Sequence, residues 1–236
     1  MGTRTNIIWG GLAFRSRRNR YSAQGGGGIP SVLDDGNTFA WYDYMENVTT
    51  SGSDVTEWGD KTGNGNNLTS ASQPPELTDT GILFNGTDEE LSSGAKTLNQ
   101  PEFIYMVFKQ VTWALNDYVF DGRTTISGAL TQDATSGEIK AAAGSFSAAN
   151  SNLPINTYGI VRVLFNGALS KLVVNDTTPI TGDFGSANMS GFTLGRRGQS
   201  TRFSNIEVKE IIIRKTADTE PDETAIYNYL KNKYSL

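Results

Sequence analysis

Apolar residues in this chain come in short bursts closed off by turn residues, and that pattern decides the fold class. Residues 39–44, 82–84, 103–108, 158–165, 169–174 and 203–214 are the apolar stretches. None has the length and 3.6-residue period of an amphipathic helix. Asn85-Gly86 and Asn166-Gly167 follow two of them as tight-turn signals, Asp121-Gly122 follows the shorter Val119-Phe120, and the chain holds 26 glycines in all. The reading is many short strands. The stretches 158–165 and 169–174, on either side of Asn166-Gly167, make the clearest hairpin. Residues 103–108 are apolar at both parities, which suits a central strand covered on two faces. Residues 126–150 space Ile126, Leu130, Ile139 and Phe146 among small polar residues and read as short surface strands. One helix is expected, at the C-terminus. Thr219 is a good N-cap, Pro221 and three acids fill the first turn, and Ile226, Leu230 and Tyr234 share a face.

The stretch from Trp58 to Leu68 reads Trp-Gly-Asp-Lys-Thr-Gly-Asn-Gly-Asn-Asn-Leu. Gly63 and Gly65 tolerate positive φ, and Asp60, Asn64 and Asn66 can bond their own backbone. Such a loop closes on itself and leaves Trp58 and Leu68 to pack inward. Calcium is the alternative ligand for Asp60 and its amide neighbours. The spacing lacks the dense carboxylates and closing Glu of a helix-flanked calcium loop, so no cofactor is assigned and calcium is kept only as an alternative.

The chain has no His and no Cys. That excludes histidine bases, Ser-His-Asp triads, thiolate nucleophiles and disulfides. Charge is divided unevenly. Net charge is -5, yet residues 1–33 contain five arginines and no acid, which leaves -10 on the rest. Residues 1–33 read as an anchoring arm with a glycine hinge, and 34–236 as one globular body. In the arm, Ile7, Ile8, Trp9 and Phe14 are apolar anchors for a protein partner, rimmed by Arg15, Arg17, Arg18 and Arg20. Nucleic acid is the weaker reading, since five arginines give phosphate attraction and no base readout. No run approaches the roughly 18 apolar residues of a membrane span.

Several separated motifs resemble those of concanavalin A-like, laminin-G-like domains. They are Trp58-x-Asp60-x-x-Gly63-Asn64-Gly65-Asn66-x-Leu68, Phe84-x-Gly86 with Leu91, and Val173-Val174-Asn175-Asp176. The ending Glu207-x-x-Glu210-Ile211-Ile212-Ile213, followed by a helix, completes the set. The resemblance spans roughly residues 38–236. It implies an all-β, two-sheet antiparallel jelly-roll sandwich with one C-terminal helix and an extended N-terminal arm. An arm joined to such a domain also resembles virion proteins of tailed bacteriophages. The implied role is a structural accessory protein of the particle, assembled in the host cytoplasm. It would be held by residues 1–33 to other virion proteins and would present a lectin-like face to host glycans; a homo-oligomer is compatible with this. A stand-alone carbohydrate-binding module is the alternative and a glycoside hydrolase the remote one. The Glu-x-Asp-x-x-Glu strand of the glycosidase branch is missing, so the chain is expected not to be an enzyme. Trp113, Asp117, Tyr118 and Arg123 are the candidate sugar-binding residues, an aromatic set with polar neighbours on a loop-rich section.

Overall fold

The computed structural model describes residues 28–70, 73–147, 151–198 and 200–236. Seventeen strands and one α-helix account for most of them. In chain order the strands are β1 Thr38–Asp43, β2 Val48–Ser51, β3 Asp54–Trp58, β4 Leu68–Thr69, β5 Glu76–Leu77 and β6 Ile82–Asn85. Then come β7 Leu91–Ser92, β8 Glu102–Gln110, β9 Tyr118–Gly122, β10 Ser127–Gln132, β11 Glu138–Ala143 and β12 Ser151–Asn152. The last are β13 Gly159–Phe165, β14 Ser170–Val174, β15 Ile180–Gly182, β16 Phe192–Leu194 and β17 Asn205–Arg214, followed by α1 Glu220–Tyr234.

The expected two-sheet sandwich is corrected here. All seventeen strands join one hydrogen-bonded antiparallel sheet, curled into a nearly closed, barrel-like shell. One wall runs β15–β14–β13–β8–β17. At β17 the sheet turns. A bulge between Val208 and Glu210 divides this strand, which pairs with β6 before the bulge and with β1 after it. From β6 the ladder continues through β5 to β3, then β4, β7, β16, β9, β10, β11 and β12. The far end comes back to the start, with β12 lying against β14. Two-residue strands bridge what would be the open edges of a sandwich, and this is why the walls are continuous.

The shell interior is the larger core. Trp58 and Leu68 sit opposite each other across β3 and β4, both fully buried. Ile104, Met106, Phe108, Val161, Val163, Ile211 and Ile213 face them from the other wall. Outside that wall, α1 covers Trp41, Tyr105, Val107, Ile160 and Ile212 with Ile226, Tyr229 and Leu230. The strands of this wall are thus buried on both faces, as the unbroken apolar reading of 103–108 requires. Leu33, assigned by sequence to the arm, packs into this outer core. The other arm residues named above, from Ile7 to Arg20, lie outside the described residues.

Strands β10 and β11 are not surface strands. β10 is buried along its whole length. The small residues that end β11 let the segment after Phe184 lie close, with Ala143 N donating to Phe184 O at 2.5 Å and Ala187 N to Ala143 O at 2.9 Å.

Candidate functional site

Asp60 shows what the glycine-rich loop does. Its Oδ1 accepts from Trp41 N at 3.1 Å, Thr62 N at 3.0 Å and Thr62 Oγ1 at 2.7 Å, and its Oδ2 from Asn66 N at 3.2 Å. Asn64 and Asn66 donate to the carbonyl of Phe39, and the Tyr42 hydroxyl donates to Asn66 O. The loop is a staple onto β1, and the oxygens expected to serve calcium are filled by donors of this chain. Among the described residues no group of three or more acidic side chains is arranged to hold a metal.

The best-organised exposed polar surface lies where β8 passes to β9. Residues 111–117 cross this gap, with Leu115 exposed and Trp113 half-buried. Two buried glutamines hold the crossing in place. Gln132 takes Ala114 N on its Oε1 at 3.0 Å and donates from Nε2 to Thr112 O at 2.9 Å and Gln110 Oε1 at 2.7 Å. Gln110 in turn donates to Gly137 O and Leu153 O. Trp113 Nε1 donates to Asp133 O at 3.0 Å, which fixes the indole. Val111 N donates to Asn205 O at 2.9 Å, and Ser204 Oγ to Tyr118 O at 2.8 Å, so the segment leading into β17 lies alongside.

That segment brings arginines. The Arg197 guanidinium lies over the Tyr118 ring at 5.3 Å, and Arg196 over Phe203 at 5.8 Å. Arg196 also meets the buried Glu90 at 3.3 Å. Arg202 is exposed and close enough to lower the Asp117 pKa, against the larger upward push of burial. The structure therefore joins Trp113, Asp117 and Tyr118 in one patch and adds Arg197 and Arg202. Arg123 is not part of it. It follows the opposite end of β9, roughly 16 Å from Tyr118 at the usual rise per residue, where its N–H bonds Gly191 O. Tyr118 is only 4% exposed, so it serves as the floor under Arg197.

Two other polar features lie outside this patch. Asp121, fully buried on β9, accepts from Ile126 N at 2.9 Å and Ser127 N at 3.2 Å. Burial pushes its carboxyl up to about 7, against the pull of those N–H groups. It braces a turn in which Ile126 holds φ 57°, an unfavourable value for a β-branched residue. Away from the patch, a cleft of about 540 Å³ opens between β13–β14 and the start of α1. Its charges are largely matched internally. Glu223 pairs with Arg162 at 2.9 Å and with Lys171.

No protein-family model and no curated protein matches the chain. Solved structures do match in fold. Trypanosoma rangeli sialidase superposes with a TM-score of 0.61 at 12% identity, over 87% of this chain and 35% of its own. The same sialidase in complex with sialic acid gives 0.59 at 12% identity, over 87% of this chain and 35% of its own. A GH54 α-L-arabinofuranosidase gives 0.58 at 12% identity, over 74% of this chain and 50% of that one. The chain thus spans about a third of the sialidases and half of the arabinofuranosidase, and at this identity the likeness is one of fold. It corrects one expectation: the solved structures named here that share the fold are a sialidase and an arabinofuranosidase, so the expectation of a chain that is not an enzyme no longer stands. Among the described residues no helix is long and apolar enough to cross a membrane.

Proposed function

We propose that this chain is a glycan-engaging domain. Its contact surface is the Trp113–Asp117 crossing together with Arg197 and Arg202, and its preferred ligands are carbohydrates bearing a carboxylate. The observation that carries the reading is the pair of buried glutamines, Gln110 and Gln132, which fix a loop bearing the half-buried Trp113 and the exposed Leu115 beside two arginines. A rigid loop loses little entropy on binding. An indole edge offers stacking area to a sugar ring, and guanidinium groups match a carboxylate in bidentate fashion. Our choice of ligand class is supported by a likeness in fold to a sialidase in complex with sialic acid. Calorimetric titration with sialylated and neutral oligosaccharides tests it. Sialylated ligands should bind, and Arg202→Ala and Trp113→Ala should each weaken them by about tenfold, the effect of losing roughly 1.4 kcal/mol. No binding, or binding indifferent to both changes, rejects the surface. Hydrolysis of the same ligands is followed in parallel, because the fold also serves hydrolases.

In this proposal the domain is displayed on a bacteriophage particle through residues 1–33. The support is the run of arginines in that segment set against an acidic body. Mass spectrometry of purified particles decides it, and absence of the chain from them removes this half of the proposal.

A further inference from the structure

The chain contains three Asn-Gly steps, at Asn64, Asn85 and Asn166. Asparagine before glycine is chemically labile, because the next amide nitrogen can attack the side-chain carbonyl and glycine puts no side chain in the way. The fold treats the three steps differently. At Asn166 the attacking group is engaged, since Gly167 N donates to Gln100 Oε1 at 2.8 Å. At Asn64 the side chain is tied across to β1, with Nδ2 donating to Thr38 O at 3.0 Å and Phe39 O at 3.1 Å. Asn85 is exposed at the end of β6, and Gly86 N meets no acceptor among the described residues. The Asn85 side chain folds forward past Gly86. Its Oδ1 accepts from Thr87 N at 2.7 Å and Asp88 N at 3.3 Å, and its Nδ2 donates to Asp88 Oδ1 at 2.9 Å.

We propose that Asn85-Gly86 is a self-modification site, where the chain closes a cyclic imide that water then opens to aspartate or isoaspartate. Gly86 N gives its proton to solvent and attacks Cγ, and the carbonyl electron pair moves onto Oδ1. The two N–H groups already bonded to Oδ1 meet that developing charge, as the donors of an oxyanion hole do. The pair then returns and the Cγ–Nδ2 bond breaks. Nδ2 takes up a proton and leaves as ammonia beside the Asp88 carboxylate. Water adds to one ring carbonyl and the ring C–N bond breaks there. One water enters and one ammonia leaves, so no oxidant or reductant is consumed. Opening at the main-chain carbonyl gives isoaspartate, which adds a methylene to the backbone. The turn is too tight for it, since one carbon added at Gly86 would lie 2.8 Å from Asn205 N. Asn85 and Asn205 are partners in the β6–β17 ladder, and Asn205 O accepts from Val111 N at 2.9 Å and Thr112 N at 3.4 Å. Conversion therefore loosens the start of the 111–117 crossing with time, whatever that crossing binds.

The test ages the full chain near neutral pH in oxygen-18 water and maps its peptides. Each converted residue takes oxygen from the labelled water, which separates ageing from sample handling. Asn85 should convert at least about tenfold faster than Asn64 or Asn166, a tenfold ratio answering to about 1.4 kcal/mol at the transition state. In concentrated urea the three rates should converge. An Asn85 no faster than the other two overturns the proposal. So does a lead that persists in urea, since the flanking sequence and not the folded turn would then be its source. In the converted fraction amide exchange should quicken at Val111 and Thr112 more than in β13, and unaltered exchange there overturns the coupling to the crossing.

Discussion

Asp60 carries more of the fold than its place in a surface loop suggests. Four donors bond its carboxylate, and two of them, Trp41 N and Asn66 N, belong to buried residues. An unpaired buried donor costs about 1–3 kcal/mol. Asp60→Ala should therefore lower the unfolding free energy by about 3 kcal/mol in urea denaturation, where a surface change costs under 0.5. Calcium added to the native chain should not shift the urea midpoint, because the oxygens it would need are already occupied. A calcium-dependent midpoint would return the loop to the metal reading. Gly63 and Gly65 make the geometry reachable, at φ 80° and 73°, with open space around each. This much was legible in the residue pattern. The direction of the Asp60 side chain was not, since a carboxylate among amides serves a backbone staple and a metal equally well until its neighbours are known.

The helix and the wall beneath it show where local signals stop. Thr219, Pro221 and the acidic first turn place α1 correctly, because the dipole acts within one turn, although the Thr219 side chain caps no N–H and its Oγ1 donates to Asp222 Oδ2 at 2.7 Å instead. What fastens α1 is long-range. Lys233 bonds Asp43 at 2.5 Å and Glu210 at 2.6 Å, and Glu210, fully buried, also accepts from Trp41 Nε1 and Tyr234. Residues 43, 210 and 233 meet only after the sheet is built, so no spacing announces them. The same holds for Gln110 and Gln132, which in sequence are two polar strand ends and in the fold are the mount of the candidate site. The Trp113 patch was half legible, since Trp113, Asp117 and Tyr118 are neighbours in the chain. Arg197 and Arg202 join it only once the fold pairs β16 with β9 and bonds the segment before β17 to Val111 and Tyr118. Removing one partner of a buried ion pair costs about 3–5 kcal/mol. Lys233 keeps some solvent contact, so Lys233→Met should cost about 3 kcal/mol in urea, and amide exchange in α1 should quicken more than in β13. Unchanged exchange in α1 would mean that its apolar face alone secures it.

For the whole molecule, the shell encloses carboxyls that suit an acidic medium better than an alkaline one. Glu102 is fully buried at the start of β8, with Oε1 accepting from Met189 N at 2.8 Å and Oε2 lacking a partner. Burial raises it to about 8, against the pull of that N–H, and raises Asp121 to about 7. In both cases the folded pKa exceeds the unfolded one, so between about pH 4 and 8 the native state binds more protons than the unfolded chain. Their contribution is complete below the unfolded pKa and is lost as pH rises through the folded values. Each group in its window gives a slope of about 1.4 kcal/mol per pH unit. The opposite sign comes from Asp35, held well below its usual range chiefly by Arg214, and from Glu207 at about 2. At Glu207 burial pushes upward, but Lys109, Thr80 and Thr78 prevail. Those two support the fold above pH 4 and release it only in stronger acid. The two sets together place the maximum of stability near pH 4–5, with a decline toward pH 8, although the net charge of -5 alone would suggest only mild self-repulsion there. Thermal unfolding at one-unit steps should show the decline, and Glu102→Gln should flatten its upper part, between about pH 6 and 8. A variant that keeps the full slope would assign it to Asp121 or to general repulsion, and salt separates those two. Repulsion between surface charges fades with ionic strength, whereas the protonation of a carboxyl sealed inside the shell does not.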